Sequence, residues 1–192
     1  SILVHPNSWF RYNDAVNFMP VLMKYADPVD ISFPSAPDKK GDVLFALHYP
    51  ELITKNLASL NKYNIVIHGS DLPKGRGRSP IHWQVEKGIH ELTLTMFEMG
   101  DKPDNGPVYL KQTLELDGTE LLPDIRLKIL RTELDMIDIF LSKYPMTPSE
   151  QQGEPSYYQK RDKESQKLDP NKTIGDQFNK MRVADNDLYP LW

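Results

Sequence analysis

Along the first 70 residues, short apolar runs alternate with stretches whose apolar positions fall at helical spacing. Residues 2–5 (ILVH) form the first run, stopped by Pro6 and Asn7. Residues 14–25 place Ala15, Phe18, Met19 and Leu22 on one helical face, with Pro20 as the expected kink. Residues 29–33 predict a second strand and residues 34–42 (PSAPDKKGD) a loop. Residues 43–47 (VLFAL) are continuously apolar, as in a strand buried on both faces of a parallel sheet. Residues 50–60 read as helical and residues 65–68 (IVIH) as the next strand. Strands alternating with helices predict βαβ units. The expected fold is α/β, a Rossmann-like, mostly parallel sheet flanked by helices.

The pattern changes after residue 79. Pro80 suits the first position of a helix that runs through IHWQVEK and ends at Gly88. Residues 92–97 (LTLTMF) and 107–116 (PVYLKQTLEL) alternate as a strand pair joined by the loop MGDKPDNG. Residues 123–144 carry Ile125, Ile129, Leu130, Leu134, Ile137 and Leu141, an amphipathic helix stopped by Pro145. From Met146 the chain turns polar, which predicts an extended arm before a last helix over residues 174–183. The expected organisation is a main domain over residues 1–145, with residues 146–192 packing on it as an arm and helix.

Composition narrows the function classes. The chain has 192 residues, 39% hydrophobic and 26% charged, with a net charge of -4. That suits one globular domain and disfavours a dedicated nucleic-acid binder, which needs a broad basic surface. The absence of cysteine excludes disulfides, zinc–thiolate sites and thiol catalysis, and suits a reducing cytoplasm. No apolar run approaches the roughly 18 residues of a membrane span, and the apolar opening is too short for a signal peptide. The expectation is a cytoplasmic protein with no membrane partner.

Ligands of parallel sheets bind beyond the carboxyl ends of the strands, where both His5 and His68 fall. His68 opens the stretch HGSDLPKGRGRSP, and an imidazole is the natural general acid or base near neutrality. A histidine closing an apolar strand is also often a packed core residue. A base needs a carboxylate, and Asp101 and Asp104 supply one; Asp, Asn, Pro and Gly are equally the standard residues of a hairpin turn. Gly75 and Gly77 permit a close backbone approach, and Lys74, Arg76 and Arg78 would hold an anion or form a solvated basic turn. No Walker loop, GxGxxG, HExxH or GxSxG is present, so no metal site is expected. Tyr157, Tyr158, Tyr189 and Trp192 either pin the tail to the body or stack on a ligand ring.

Taken together, IVIHGSDLPKGRGRSPIHWQVEKG and the later DNGPVYLKQTLEL resemble the 10-formyltetrahydrofolate-dependent formyltransferases over roughly residues 43–116. That family includes methionyl-tRNA, glycinamide ribonucleotide and sugar N-formyltransferases. The match rests on His68, Ser70, Leu72, Pro73, Gly77 and Pro80, with Asp104-Asn105-Gly106 starting 36 residues after His68. More loosely, LDPNKTIGDQFNKMRVADNDLYPLW looks like the closing segment of many sugar N-formyltransferases. The resemblance implies a formyltransferase catalytic domain, 10-formyltetrahydrofolate as co-substrate and no metal. An amine would attack the formyl carbon, with His68 taking its proton or stabilising the oxyanion, and Asp104 orienting His68. Tyr49, Pro50, Glu51, Leu52, Ile53 and Asp101 would hold the pterin.

One position departs from the family. Val66 stands where an asparagine two residues before the histidine helps polarise the formyl oxygen, and valine cannot donate a hydrogen bond. Asn7 and Ser8, at the end of the first strand on the same sheet edge, are candidate substitutes, as is Ser70. For the acceptor, HPNSWF after the first strand is no glycine-rich phosphate loop, which disfavours a purine substrate. An acidic chain without a C-terminal barrel disfavours tRNA. An amino sugar remains, expected to be nucleotide-linked and to serve surface-glycan biosynthesis, with Lys74, Arg76, Arg78, Asn7, Ser70 and Arg182 as its contacts. The alternatives are a methionyl-tRNA formyltransferase-like enzyme, a folate-binding member that has lost catalysis, and an unrelated dinucleotide-dependent reductase. A homodimer through the aromatic C-terminus is a further option.

Overall fold

In chain order the strands are β1 (Ile2–Leu3), β2 (Ile31–Ser32), β3 (Gly41–Ala46), β4 (Asn61–His68), β5 (Arg76–Gly77), β6 (Glu91–Glu98), β7 (Val108–Glu115) and β8 (Tyr157–Tyr158). The helices are α1 (Tyr12–Val16), α2 (Met19–Leu22), α3 (Lys55–Ala58), α4 (Pro80–Glu86), α5 (Leu122–Ser142) and α6 (Ile174–Arg182). This computed structural model describes the whole chain except residues 6–7, 11, 27–28, 33–39 and 52. The expected strand stop at Pro6 and Asn7, the end of the second strand at Phe33 and most of the loop over 34–42 lie outside the described residues.

Six strands form one sheet in the order β2-β1-β3-β4-β6-β7. β2, β1, β3 and β4 pair in parallel, whereas β6 runs antiparallel to β4 and β7 antiparallel to β6. The α/β reading holds, with a mostly parallel sheet. Parallel pairing aligns the carboxyl ends of β1, β3 and β4 on one edge. The register Ala46↔Val66 carries His68 two residues past the end of β3.

The apolar run in β3 is buried because both sheet faces are covered. Phe45 and Leu47 join the large core beneath α5, whereas Leu44 and Ala46 join Leu3 and Leu57 in a small cluster on the other face. Burial of each of the leucine and phenylalanine side chains contributes about 1.5–3 kcal/mol. On α5, Ile125, Ile129, Met136, Ile137 and Phe140 form the buried stripe. Glu133 lies on the same stripe with its side chain 1% exposed, and His48 Nε2 answers it at 2.9 Å. A buried carboxylate requires such a partner.

Two expected helices differ. The helix over 50–60 shrinks to Lys55–Ala58, because Thr54 caps it by accepting from the Leu57 N–H at 3.3 Å. Ile53, just before the cap, packs beside the small cluster instead. The helix over 14–25 divides into α1 and α2, and Pro20 falls in the first turn of α2, where a missing N–H costs nothing.

The polar arm does not lie free. Tyr157 and Tyr158 pair in parallel with Arg76 and Gly77, forming a two-stranded ladder against the loop that follows His68. Farther on, α6 packs against α4. The guanidinium of Arg161 lies 4.2 Å from the Tyr189 ring centre, and Trp192 Nε1 donates to the Lys163 carbonyl at 2.9 Å. Among the described residues no helix is long and apolar enough to cross a membrane.

Candidate active site

His68 ends β4, and its Nε2 lies 2.9 Å from the Gly75 carbonyl oxygen. A carbonyl only accepts, so this bond requires the hydrogen on Nε2 and leaves Nδ1 as the unbonded ring nitrogen. That Nδ1 faces Asp104 Oδ1 at 3.7 Å, with the two side chains 10% and 16% exposed. The gap is too long for a hydrogen bond, yet short enough for strong attraction once the imidazole is charged.

Asp104 arrives on the loop between β6 and β7. The turn is tight: a side chain on Gly106 would run into the Glu98 carbonyl, and Asn105 Oδ1 accepts from the Lys102 N–H at 3.1 Å. Asp104 itself has φ +56, in the left-handed region that non-glycine residues rarely adopt. Two bonds hold it there. Oδ2 accepts from the Gly77 N–H at 2.8 Å, and its carbonyl accepts from Gln151 Nε2 at 2.9 Å. The turn chemistry and the aimed carboxylate belong to one and the same loop.

The loop after His68 is braced from inside. Ser70 is 2% exposed, with Oγ 2.8 Å from the Lys74 carbonyl and 3.0 Å from that of Gly75, while its own carbonyl accepts from Thr95 Oγ1 at 2.6 Å. Ser70, expected to touch substrate, therefore spends its hydroxyl on the loop. Lys111 Nζ donates to the Leu72 carbonyl at 2.6 Å and pairs with Asp71. Gly75 and Gly77 have φ +71 and +102, and side chains there would strike the ring and the carbonyl of Tyr158. These glycines admit the arm rather than a ligand.

The remaining expected contacts divide. Lys74 and Arg78 are exposed on this loop. Arg76 is committed to the arm, its Nη2 donating to Gln151 Oε1 at 2.6 Å. Arg182 is corrected outright. It is 2% exposed, its Nε donates to the Glu120 carbonyl and its Nη2 to Glu120 Oε2, both at 2.9 Å, so no donor face is open to a ligand. Asn7 and Leu52 lie outside the described residues. Asp101 is exposed on the Asp104 loop.

Tyr49, Pro50, Glu51 and Ile53 follow β3 on the same sheet edge as His68. Tyr49 and Ile53 pack with Val66 beside the small cluster, so position 66 adds apolar surface and no donor. The Tyr49 ring meets His5 edge-on at 5.2 Å, and His5 Nε2 lies 3.4 Å from Glu51 Oε1. Burial, with the Glu51 charge beside it, pushes the Tyr49 hydroxyl up from its ordinary range. Among the described residues no three His, Asp or Glu side chains gather as a metal site would require.

Sequence reasoning missed Gln151 and Ser156. Gln151 Nε2 donates to the carbonyls of both Asp104 and Gly106 at 2.9 Å, and Ser156 Oγ accepts from the Gly75 N–H at 2.9 Å. Neither stands in a motif; only the fold of the arm brings them to the site.

Comparison with known proteins gives the family and the fold. The formyl transferase family model matches residues 36–137. Methionyl-tRNA formyltransferase of Thermosipho melanesiensis is 33% identical over 147 residues, 76% of this chain and 48% of that protein. The chain thus spans about half the length of this curated relative. Among solved structures, methionyl-tRNA formyltransferase from Clostridium thermocellum superposes with a TM-score of 0.78 at 22% identity, covering 98% of this chain and 84% of that one. HypX from Aquifex aeolicus in complex with tetrahydrofolic acid gives 0.75 at 18%, covering 96% and 34%. A 4-N formyltransferase from Francisella tularensis gives 0.73 at 16%, covering 98% and 89%. At these identities the structures show a shared fold.

Proposed function

The chain belongs to the formyl transferase family, and from that premise we propose that it moves a formyl group from 10-formyltetrahydrofolate to the amine of an amino sugar, nucleotide-linked and destined for a surface glycan. The observation that carries the reading is His68 at the end of β4, its Nε2–H held by Gly75 and its Nδ1 turned to Asp104. Bound formyl-folate would supply an electrophilic carbonyl carbon. The protein would supply the proton traffic. An attacking amine would gain positive charge as its bond to the formyl carbon forms, and Nδ1 of His68 would take the surplus proton. The bond from that carbon to folate N10 would then break, with the proton passed to N10 so that tetrahydrofolate leaves neutral. While His68 holds that proton, Asp104 would stabilise the imidazolium across the 3.7 Å gap. A positioned acid–base pair of this kind is worth roughly 10²–10⁴-fold in rate.

The residues on the sheet edge fit a flat folate ring. Tyr49, Ile53 and Val66 offer partly buried apolar surface, with the exposed Asp101 on the loop that carries Asp104. Val66 leaves the formyl oxygen without the family's usual donor. That absence motivates a second reading, a folate-binding member without turnover. Lys74 and Arg78, exposed beside His68 on an acidic chain, support an anionic small acceptor. The relatives named methionyl-tRNA formyltransferase support a tRNA acceptor instead.

One assay separates these readings. The protein is given 10-formyltetrahydrofolate with a pool of nucleotide-linked 3-amino and 4-amino sugars or, separately, with charged initiator tRNA, and products are read by mass. Formylated sugar is the expected product. Formylated methionyl-tRNA alone would replace the sugar by tRNA, and bound folate without product would favour the inactive binder.

A further inference from the structure

The family match ends at residue 137, yet both halves of the His68–Asp104 pair are fastened by the arm beyond it. We infer that Gln151 is a positioning residue that sets Asp104 against His68, so that the polar arm completes the catalytic site; this rests on the formyl-transfer reading above. Gln151 is only partly exposed and all its polar capacity points inward. Its Oε1 takes the Arg76 guanidinium at 2.6 Å, and its Nε2 donates at 2.9 Å to the carbonyls of Asp104 and Gly106. These two carbonyls flank the left-handed turn at Asp104, φ +56, whose backbone has little intrinsic preference for that shape. One amide thus bridges the loop carrying Asp104 and the loop following His68.

The arm grips the other partner as well. The Gly75 peptide offers its carbonyl to His68 Nε2 at 2.9 Å and its N–H to Ser156 Oγ at 2.9 Å. The ladder between β5 and β8 holds that peptide in place, with the Arg76 N–H donating to the Ser156 carbonyl at 2.9 Å and the Arg78 N–H to that of Tyr158 at 3.4 Å. The Val108–Ser149 bridge, with bonds of 2.7 and 2.8 Å, anchors the arm just before Gln151. Because the ladder and this bridge hold the arm independently, loss of the Gln151 donor should free Asp104 without detaching the arm.

Gln151→Glu isolates that donor. The carboxylate keeps the Arg76 contact but faces the Asp104 and Gly106 carbonyls with an acceptor. Hydrogen exchange reads the consequence without any substrate, because the Gly77 N–H reports on its bond to Asp104 Oδ2. We expect Gly77 exchange at least tenfold faster in Gln151→Glu, with the Arg76 and Arg78 amides within threefold of wild type. In turnover we expect kcat to fall at least tenfold, KM to stay within twofold and the pH profile of kcat to change shape. Gln151→Ala should repeat the exchange pattern, which covers the case in which the charged variant folds poorly. Unchanged Gly77 exchange would overturn the assignment. So would equal acceleration at Gly77, Arg76 and Arg78, since that marks a detached arm. If wild-type protein formylates no acceptor, the formyl-transfer reading fails, and the exchange pattern alone decides whether Gln151 positions Asp104.

Discussion

The His68–Asp104 and Arg182–Glu120 pairs each join segments distant in sequence, and each lies beside a tight turn. Around Glu120 everything is closed. Its carboxylate takes the N–H groups of Asp117 and Gly118 at 2.8 and 3.1 Å, Lys128 at 2.6 Å and Arg182 at 2.9 Å, and both partners of the pair are under 10% exposed. Around His68 one bond is left unmade. Nδ1 and the Asp104 oxygen stand 3.7 Å apart at the carboxyl edge of the parallel strands. A polar cluster with every donor spent stabilises a fold. One that leaves an imidazole nitrogen facing a carboxylate without a bond between them has a donor–acceptor position still open, as the proposed formyl transfer requires. His48–Glu133 is of the first kind on the carboxylate side, with both Glu133 oxygens about 3 Å from the imidazole.

Breaking the open pair should cost chemistry and spare the fold. Asp104→Asn keeps an acceptor for the Gly77 N–H but removes the charge opposite Nδ1, and kcat is expected to fall at least about a hundredfold. The melting temperature should stay within about 3 °C of wild type, as a change of under ~1 kcal/mol allows for a chain of this length. Parallel kinetics and calorimetry check both halves.

Breaking the closed pair should do the reverse. Arg182→Met leaves Lys128 as the charged partner of the Glu120 carboxylate beside the Asp117 and Gly118 N–H groups, and loss of one partner of a buried pair costs about 3 kcal/mol. A urea melt should show the lowered midpoint, while turnover per folded molecule stays near wild type. An unmoved midpoint with lost activity would return Arg182 to the substrate contacts.

Acid should find the closed cluster as well. Burial raises the Glu120 carboxyl, but Lys128 and the surrounding N–H groups outweigh it and hold the group down at about 2, against an ordinary 4.5. A depressed carboxylate contributes stability that is complete above its unfolded value and lost as pH falls through the folded one. Stability should therefore decline between about pH 4.5 and 2, and Glu120→Gln should flatten that part of the profile. The smallest effect belongs to the surface. The double variant Lys74→Ala/Arg78→Ala should raise KM for an anionic acceptor about three- to tenfold with kcat unchanged, and less at high salt, because exposed charges are screened. Initial-rate kinetics at two ionic strengths measure it.

How legible each part was follows from the range of the interactions that set it. The apolar runs of β3 and β4 read as strands because such a run has one comfortable place, inside a covered sheet, whereas the polar start of β4 at Asn61–Asn64 carried no such signal. His68 and Asp104 were visible through two loops at a fixed separation, and the turn residues that also allowed a bland hairpin are what give Asp104 its left-handed aim. The helix over 50–60 was overdrawn because periodicity cannot see Thr54 capping from within, or Ile53 drawn down to the sheet. Arg182 was misread since an arginine before an aromatic tail looks the same whether it meets a ligand or Glu120, 62 residues away. Gln151 gave no signal at all. A glutamine in a polar arm acquires meaning only when the arm folds back onto the loop carrying Asp104.

The most direct test of the account is the rate of formyl transfer from 10-formyltetrahydrofolate to its amine acceptor by His68→Asn and wild-type protein, at matched folded fraction. The account predicts at least a hundredfold loss with an unchanged melting temperature. Turnover within fivefold of wild type would contradict it, because no other described group then explains the open pair at the end of β4.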